Sequence, residues 1–474
     1  MVPDFSLIEI FDFYMTEALD YYPELSNLKK EAWIVLAHVC RKWRDIVFGS
    51  PRRLNVRLFF HARRSLRAML DTWPPLPIDI WVSDIDLKFG RIDDTIAILK
   101  HSNDLIQKIK VQGSSKYPFQ RTLAAMQKPF PCLTELIITS TSGRSEEPVI
   151  PDSFLSGSAP FLRSFQMRNF KFPRVLLHHL RLSTNLVELR LSRIPDHKGI
   201  ISPEAALACL SALTRLETFE LGIQFFFLPW RSQVPPPSTR CILPALTSLE
   251  FDGPINYLEH LIAPIDSPLL DNLDIILHYR PVSDAPQFAQ FIDRTPKLKA
   301  LDEAHFFFDA RYVLVSLLWT RGRGLHITIP HSWPDEFPAL VQRCTSSFLR
   351  TLIPMTKHLY FFGSGAFSLD DVECSQWLDI LRPFTTVENL YLSCDFSPHI
   401  VPALHGIIGE GMAGVLPFLQ NIFLERLSPP GPVGEAIGRL VTALHLSFRP
   451  IAVSQRDSIV WDSMVHDPWW RRYR

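Results

Sequence analysis

The sequence has no excess of charge. Over 474 residues, 49 Lys and Arg stand against 49 Asp and Glu, which excludes bulk electrostatic attraction to nucleic acid or to an anionic membrane. Its seven cysteines, at 40, 132, 209, 241, 344, 374 and 394, include no Cys-x-x-Cys pair, so neither a zinc ribbon nor a disulfide framework is written in it. None of the nine asparagines opens an Asn-x-Ser/Thr sequon, and the first 15 residues place Asp4, Glu9 and Asp12 where a secretory leader is basic. Long apolar runs are missing as well: residues 313–319 and 223–230 fall well short of the roughly 18 that span a bilayer. These absences lead to the expectation of a cytoplasmic or nuclear protein with neither a membrane nor a nucleic-acid partner. What is plentiful is core-forming material, 47% hydrophobic against 21% charged residues, too apolar for a disordered chain.

Motifs of chemistry are equally scarce. Gly409-Glu410-Gly411-Met412-Ala413-Gly414 fits G-x-G-x-x-G, but a helix-like stretch precedes it and a strand-like one follows, the reverse of what a phosphate cradle needs, so it reads as a loop. Gly363-Ser364-Gly365 lacks the frame of a nucleophile elbow. His178 and His179 are adjacent and point apart on a helix, with no further ligand at metal spacing. The C-terminal Pro468-Trp469-Trp470-Arg471-Arg472-Tyr473-Arg474 mixes aromatics and cations without a wider basic surface, and reads as a cap or tail of the last structural unit. The expectation is no catalytic residue, no metal and no cofactor; an enzyme on an unrecognised fold would need convergent titratable groups that the spacing does not show.

Two helical segments open the chain. Pro3 precedes Leu7, Ile8, Ile10 and Phe11, which crowd one side of a helix, and residues 33–46 run from an apolar body to a basic end before Gly49-Ser50-Pro51 stops them. About fifty residues cannot bury so many large apolar side chains alone, so the expectation is that a partner covers them. Residues 41–67 hold nine Lys or Arg against Asp45, either a complement to an acidic partner or a solvated face. These segments resemble the F-box motif at Pro3, Leu7, Ile10, Phe11, Val39, Cys40, Arg41, Trp43, Ile46, Ser50 and Pro51, with residues 12–32 longer than the usual turn and Leu54 where Trp is common. The resemblance implies docking onto the Skp-type adaptor, and through it a cullin, of an SCF (Skp, cullin, F-box) ubiquitin ligase, through Pro3, Leu7, Ile10, Phe11, Trp33, Val39, Cys40, Trp43 and Ile46.

Beyond this segment apolar residues recur at i, i+3 and i+5. Ten units starting at Ile106, Leu133, Leu162, Leu186, Leu216, Leu246, Leu270, Val387, Leu419 and Val441 satisfy all three positions, and Leu298, Gly322 and Thr356 start units that satisfy two. Proline stands two residues before the start in seven of them, at 131, 160, 244, 268, 296, 354 and 417, where it ends a helix and biases its neighbour to extended backbone. Residues 202–213, 376–381 and 433–441 have helical spacing between the strands. The pattern resembles a leucine-rich repeat solenoid, although the i+8 positions Ile194, Gln224, Pro254 and His278 are not the usual Asn or Cys. The expected fold is therefore α/β: an F-box helical domain over 1–55, a linker helix over 56–74, an irregular solenoid with a parallel concave sheet over 75–450, and a tail or cap over 451–474.

The i+4 positions read Arg190, Glu220, Glu250, Asp274, Asp302, His326, Tyr360, Tyr391 and Phe423. If the strands stack in order, four carboxylates adjoin and then three aromatics, which makes Glu220, Glu250, Asp274, Asp302, Tyr360, Tyr391 and Phe423 the candidate contacts to a protein substrate. The alternative is a surface charged for solubility and neutralised by its neighbours. The expected function is a non-catalytic substrate-recognition subunit of an SCF-type ligase, the rival being a repeat scaffold without a ligase role.

Overall fold

The computed structural model describes residues 3–20, 32–51, 53–60, 70, 72–83, 92–114, 116–141, 148–170, 174–195, 201–224, 240–278, 285–309, 312–318, 323–330, 353–363, 372–406, 415–425, 432–446 and 451–455. They fall into two units, 1–224 and 225–474. The glycine-rich 409–414 segment, the 364–365 pair and the C-terminal Trp/Arg stretch lie outside the described residues.

The first unit begins with helices α1 (Asp4–Asp20), α2 (Ala32–Val39) and α3 (Arg41–Gly49). Seven parallel strands follow in chain order: β1 (Leu58–Phe60), β2 (Ile78–Val82), β3 (Ile106–Gly113), β4 (Glu135–Ser140), β5 (Ser164–Arg168), β6 (Glu188–Pro195) and β7 (Thr218–Gln224). Between them run α4 (Ile92–His101), α5 (Lys116–Ala125), α6 (Arg174–Leu180) and α7 (Pro203–Leu210). The ladder starts at Leu58, inside the stretch expected to be a linker helix. In α7 the Ser202 hydroxyl accepts from the Ala205 N–H at 3.2 Å and Pro203 occupies the first turn, the capping the sequence calls for.

Among its described residues the second unit has nine strands in one sheet. In spatial order they are β9 (Ser248–Gly253), β11 (Asn272–Leu277), β14 (Gly324–Pro330), β13 (Tyr312–Leu318), β12 (Glu303–Phe308), β15 (His358–Gly363), β16 (Asn389–Leu392), β17 (Asn421–Leu424) and β18 (Ala452–Gln455), while β8 (Cys241–Ile242) and β10 (Ile265–Asp266) form a separate parallel pair. Its helices are α8 (Ile255–Ile262), α9 (Pro286–Arg294), α10 (Cys374–Leu381), α11 (Ser397–Gly406) and α12 (Pro432–Leu446). Consecutive helices cap each other. The Glu259 carboxylate on α8 accepts from the Gln287 and Phe288 N–H groups that open α9, and Arg294 at the end of α9 donates to the Ala263 carbonyl that closes α8, at 2.8 Å.

All seven repeat prolines do the same thing. Each is the second residue of a four-residue turn closed by the N–H of the unit's starting residue: Leu133 to Phe130, Leu162 to Ala159, Leu246 to Leu243, Leu270 to Ser267, Leu298 to Thr295, Thr356 to Ile353 and Leu419 to Leu416, at 3.1 to 3.3 Å. Proline's fixed φ suits that position, so its role is to bend the chain rather than to extend its neighbour. Side chains then alternate. In β9, Leu249 and Phe251 are buried on the helix side, where Phe251 stacks with Tyr257 of α8 at 6.0 Å, while Ser248, Glu250 and Asp252 face the other way.

Two expected units are corrected. Val441 lies inside α12, and the strand of that unit is β18, eleven residues further on. Leu298 lies on a 3₁₀ turn (Pro296–Ala300), so the strand that follows is shifted by three residues and Asp302 precedes it. The chain leaves β11, lays down β12 three places away, and returns through antiparallel β13 and β14 to meet β11. Runs such as Tyr-Val-Leu-Val-Ser-Leu-Leu in β13 have no polar alternation because both faces of this inserted meander are covered.

Candidate interaction surfaces

The N-terminal helices close a core of their own. Trp33 is 0% exposed, its indole N–H donates to the Arg57 carbonyl at 3.0 Å, and its ring stands edge-on to Trp73 with centroids 5.1 Å apart. Phe11, 1% exposed, packs on Trp43 at 4.7 Å, and Leu7 and Ile46 are buried with them. Of the nine residues expected at the adaptor interface, these four are spent inside the fold. Trp43 is half-buried, and Pro3, Ile10, Val39 and Cys40 face outward. Cys40 caps α3, its Sγ accepting from the Trp43 N–H.

The outward apolar surface is larger than the motif indicated. Phe5, Ile10, Phe13 and Tyr14 on α1 and Val35 and Val39 on α2 are 45 to 65% exposed. Ile10, Phe13 and Tyr14 stand at i, i+3 and i+4, and Val35 and Val39 at i and i+4, so each helix carries one apolar row. That spacing was present in the sequence, masked by an equally apolar buried side.

Of the five cations of the basic stretch that lie among the described residues, four are engaged within the chain. Lys42 pairs with Asp4 at 2.8 Å, Arg53 with Glu9, and Arg57 with Asp79 at 3.3 Å, while the Arg44 Nε–H donates to the Ala37 carbonyl at 3.0 Å. Arg52, Arg63, Arg64 and Arg67 lie outside the described residues.

On the sheet face opposite the helices, the first unit carries charges matched strand to strand. Lys108 on β3 pairs with Glu135 on β4 at 2.5 Å; Lys110 lies over the Trp81 ring at 5.2 Å; Arg190 on β6 bridges Glu188 at 2.5 Å and Glu220 on β7 at 3.1 Å. Glu220 is thus part of an ion-pair chain. Burial pushes the Glu188 carboxyl upward, but hydrogen bonds from Ser164 Oγ and Arg190 outweigh it and hold it below the usual glutamate range. Replacing Arg190 with Met leaves two half-buried carboxylates side by side, and the expected loss of stability at pH 7 is about 1–2 kcal/mol. Because Glu188 titrates lower folded than unfolded, the contribution exists above about pH 4.3 and disappears as pH falls through the folded value. The difference between the urea midpoints of wild type and Arg190→Met should be full at pH 7 and shrink progressively as the pH is lowered below about 4.3.

In the second unit, register joins Glu250 to Asp274, Asp274 to His326, His326 to Ser316, Ser316 to His305, His305 to Tyr360, Tyr360 to Tyr391 and Tyr391 to Phe423. His305 stands where Asp302 was expected; the Asp302 carbonyl instead accepts from the Lys357 and His358 N–H groups, because the inserted meander moves the strand. From His305 the rings stack: His305 on Tyr360 at 4.0 Å, Tyr360 on Tyr391 at 4.0 Å, Tyr391 on Phe423 at 4.5 Å, all within 10° of parallel. Tyr360 and Tyr391 are each 7% exposed and cluster with Phe307, Leu314 and Phe362, so they form a second core on this face. Alongside runs a polar ladder, in which Asn421 donates to Asn389 at 2.8 Å and Asn389 to His358 at 3.2 Å.

Among the described residues no three His, Cys, Asp or Glu side chains converge as a metal site would require, and no helix is long and apolar enough to cross a membrane. His178 and His179 are 6.4 Å apart with their rings 79° from parallel. The sequence matches no family model and no curated protein. Among solved structures the chain is similar to the leucine-rich repeat-containing protein LegL7 from Legionella pneumophila, at 10% identity over 81% of this chain and 96% of that one, with a TM-score of 0.26.

Proposed function

We propose that the chain is a non-catalytic interaction subunit whose N-terminal helices dock onto a Skp-type adaptor of a cullin ubiquitin ligase and whose strand ladder holds a protein substrate. The observation that supports this most is the apolar surface of Ile10, Phe13, Tyr14, Val35 and Val39, which stays in water although Trp33 and Phe11 already close the core behind it. Two helices that are filled within and greasy without fit a partner of the same kind. The outward placement of Ile10, Val39 and Cys40, three positions of the F-box resemblance, agrees. On the substrate side the reading keeps Glu250 and Asp274, adjacent and partly exposed on β9 and β11. It drops Glu220, which Arg190 occupies, and the buried Tyr360 and Tyr391.

The test is capture of purified Skp-type adaptor by the full chain. Ile10→Glu with Val39→Glu should weaken capture by at least about a hundredfold, since each apolar anchor in an interface centre contributes roughly 2 kcal/mol, and should leave the melting temperature unchanged because both residues are exposed. Undiminished capture would sink the ligase reading. The rival, a repeat scaffold with no ligase link, draws on the enclosure of Leu7, Phe11, Trp33 and Ile46 within the chain's own fold, and predicts no adaptor capture by the wild type either.

A further inference from the structure

At the middle of the second unit's sheet sits a histidine with an unmet polar atom. His305 on β12 is 2% exposed. Its Nε2 lies 3.2 Å from a Glu303 carboxylate oxygen, which can only accept, so the ring proton is on Nε2 and Nδ1 is bare. Nδ1 is buried with no hydrogen-bond partner among the described residues. One face of the ring lies flat on Tyr360 of β15, and Phe362 of the same strand meets it edge-on at 6.2 Å. On the other side its register neighbour is Ser316 of β13, whose hydroxyl is engaged by His326 Nδ1 of β14 at 2.9 Å.

The arrangement tolerates a neutral imidazole and opposes a charged one. A second proton would go to Nδ1, placing a donor where no described residue offers an acceptor and a cation among aromatic side chains. The titratable groups on this face around the ring are Glu303 on its own strand, His358 and Tyr360 on β15, and His326 on β14; β13 adds the Ser316 hydroxyl beside it and, farther along the same face, the Tyr312 phenol. Burial opposes the charged ring most, His358 opposes it too, and together they outweigh Glu303, which favours it, so the folded ring holds its second proton less readily than an ordinary histidine.

We propose that the inserted meander β12–β13–β14 is a proton-sensitive element, held in the sheet while His305 is neutral and released from it when the ring is protonated, which frees the Tyr360 face now stacked against it. The meander suits such a role. Among the described residues it is the one part of this sheet entered by antiparallel pairing, and β15 and β11 would be left as parallel strands that belong to the regular ladder. The sign is fixed by the titration: an imidazole harder to protonate folded than unfolded costs no stability above about pH 6.5, and costs more with each step of acidification until the folded value is passed.

Hydrogen exchange on the full chain between pH 7.5 and pH 5, corrected for the intrinsic exchange rate, tests it. Protection over 303–308, 312–318 and 324–330 should fall by up to about tenfold per pH unit below about 6.5, while 135–140 and 164–168 hold theirs. His305→Phe should flatten the pH response by removing the titration and keeping a ring on Tyr360. Should that variant fold poorly, His305→Gln keeps a donor for Glu303, does not titrate, and must flatten the response equally. A meander whose protection does not respond to pH, a loss spread evenly over all strands, or a response that survives in His305→Gln would overturn the proposal.

Discussion

Trp33→Ala is expected to unfold the N-terminal helices, at a cost of about 3–5 kcal/mol. The ring is 0% exposed and stands edge-on to Phe48, 6.0 Å away, and to Trp73, so its removal leaves a cavity bounded by two aromatics that cannot collapse onto Ala. It also strips the Arg57 carbonyl of its indole donor, and Arg57 is the residue that ties this region to Asp79 on β2. Limited proteolysis of the full chain reads the result: cleavage within α2 and α3 should rise steeply, and protection of buried Leu36, Ala37 and Val47 should vanish. Val39→Ala, on the exposed side of the same helix, should leave both untouched. A wild-type cleavage pattern for Trp33→Ala would return the ring to the partner-facing role that the F-box resemblance assigned it.

Trp33 also shows why local reading stops where it does. Its spacing within α2 is readable, but whether a large ring points to a partner or to its own chain depends on Trp73, forty residues away, and on the Arg57 carbonyl. The ladder was far more legible, because seven of its units advertise themselves within a few residues: a turn with proline at its second position, a closing residue, then alternation. Units starting at Leu133, Leu162, Leu246, Leu270 and Leu419 therefore fall where the strands β4, β5, β9, β11 and β17 begin two residues later. Leu298 met the same local pattern and misled, since its i and i+3 residues lie on a 3₁₀ turn and at its edge. Spatial order is a different matter. Nothing in a six-residue window says that β14, not β12, will lie beside β11, so the carboxylate row expected to reach Asp302 stops at Asp274 and passes to His326. For Glu220 the sequence left both readings open, a substrate contact or a charge neutralised by its neighbours, and the bridge from Arg190, one strand over, decides for the second.

Gly324→Ala is expected to expel β14 from the sheet, a loss of more than about 3 kcal/mol. Gly324 opens β14 at φ +157°, opposite Leu318 of β13, and a Cβ there would stand 2.0 Å from the Leu317 carbonyl oxygen and 3.0 Å from its carbon. Those atoms are backbone held in the antiparallel ladder, so no rotamer change relieves the overlap and the two strands must part. Parting them has a defined cost downstream: the Ser316 to His326 hydrogen bond opens, and Arg323, which reaches Asp271 at 3.2 Å just before β11, loses its anchor. Exchange protection over 312–318 and 324–330 should drop together while β16 and β17 remain protected, since β16 pairs with β15 and β17, and β17 with β16 and β18, none of them in the meander. Gly49, the last residue of α3, is the matched control: nothing lies within 4 Å of a Cβ built there, and Gly49→Ala should leave stability within about 1 kcal/mol of wild type. Equal protection in Gly324→Ala and wild type would mean that β14 does not pair with β13 in this register, and the polar link from Asp274 through His326 and Ser316 to His305 would have to be redrawn.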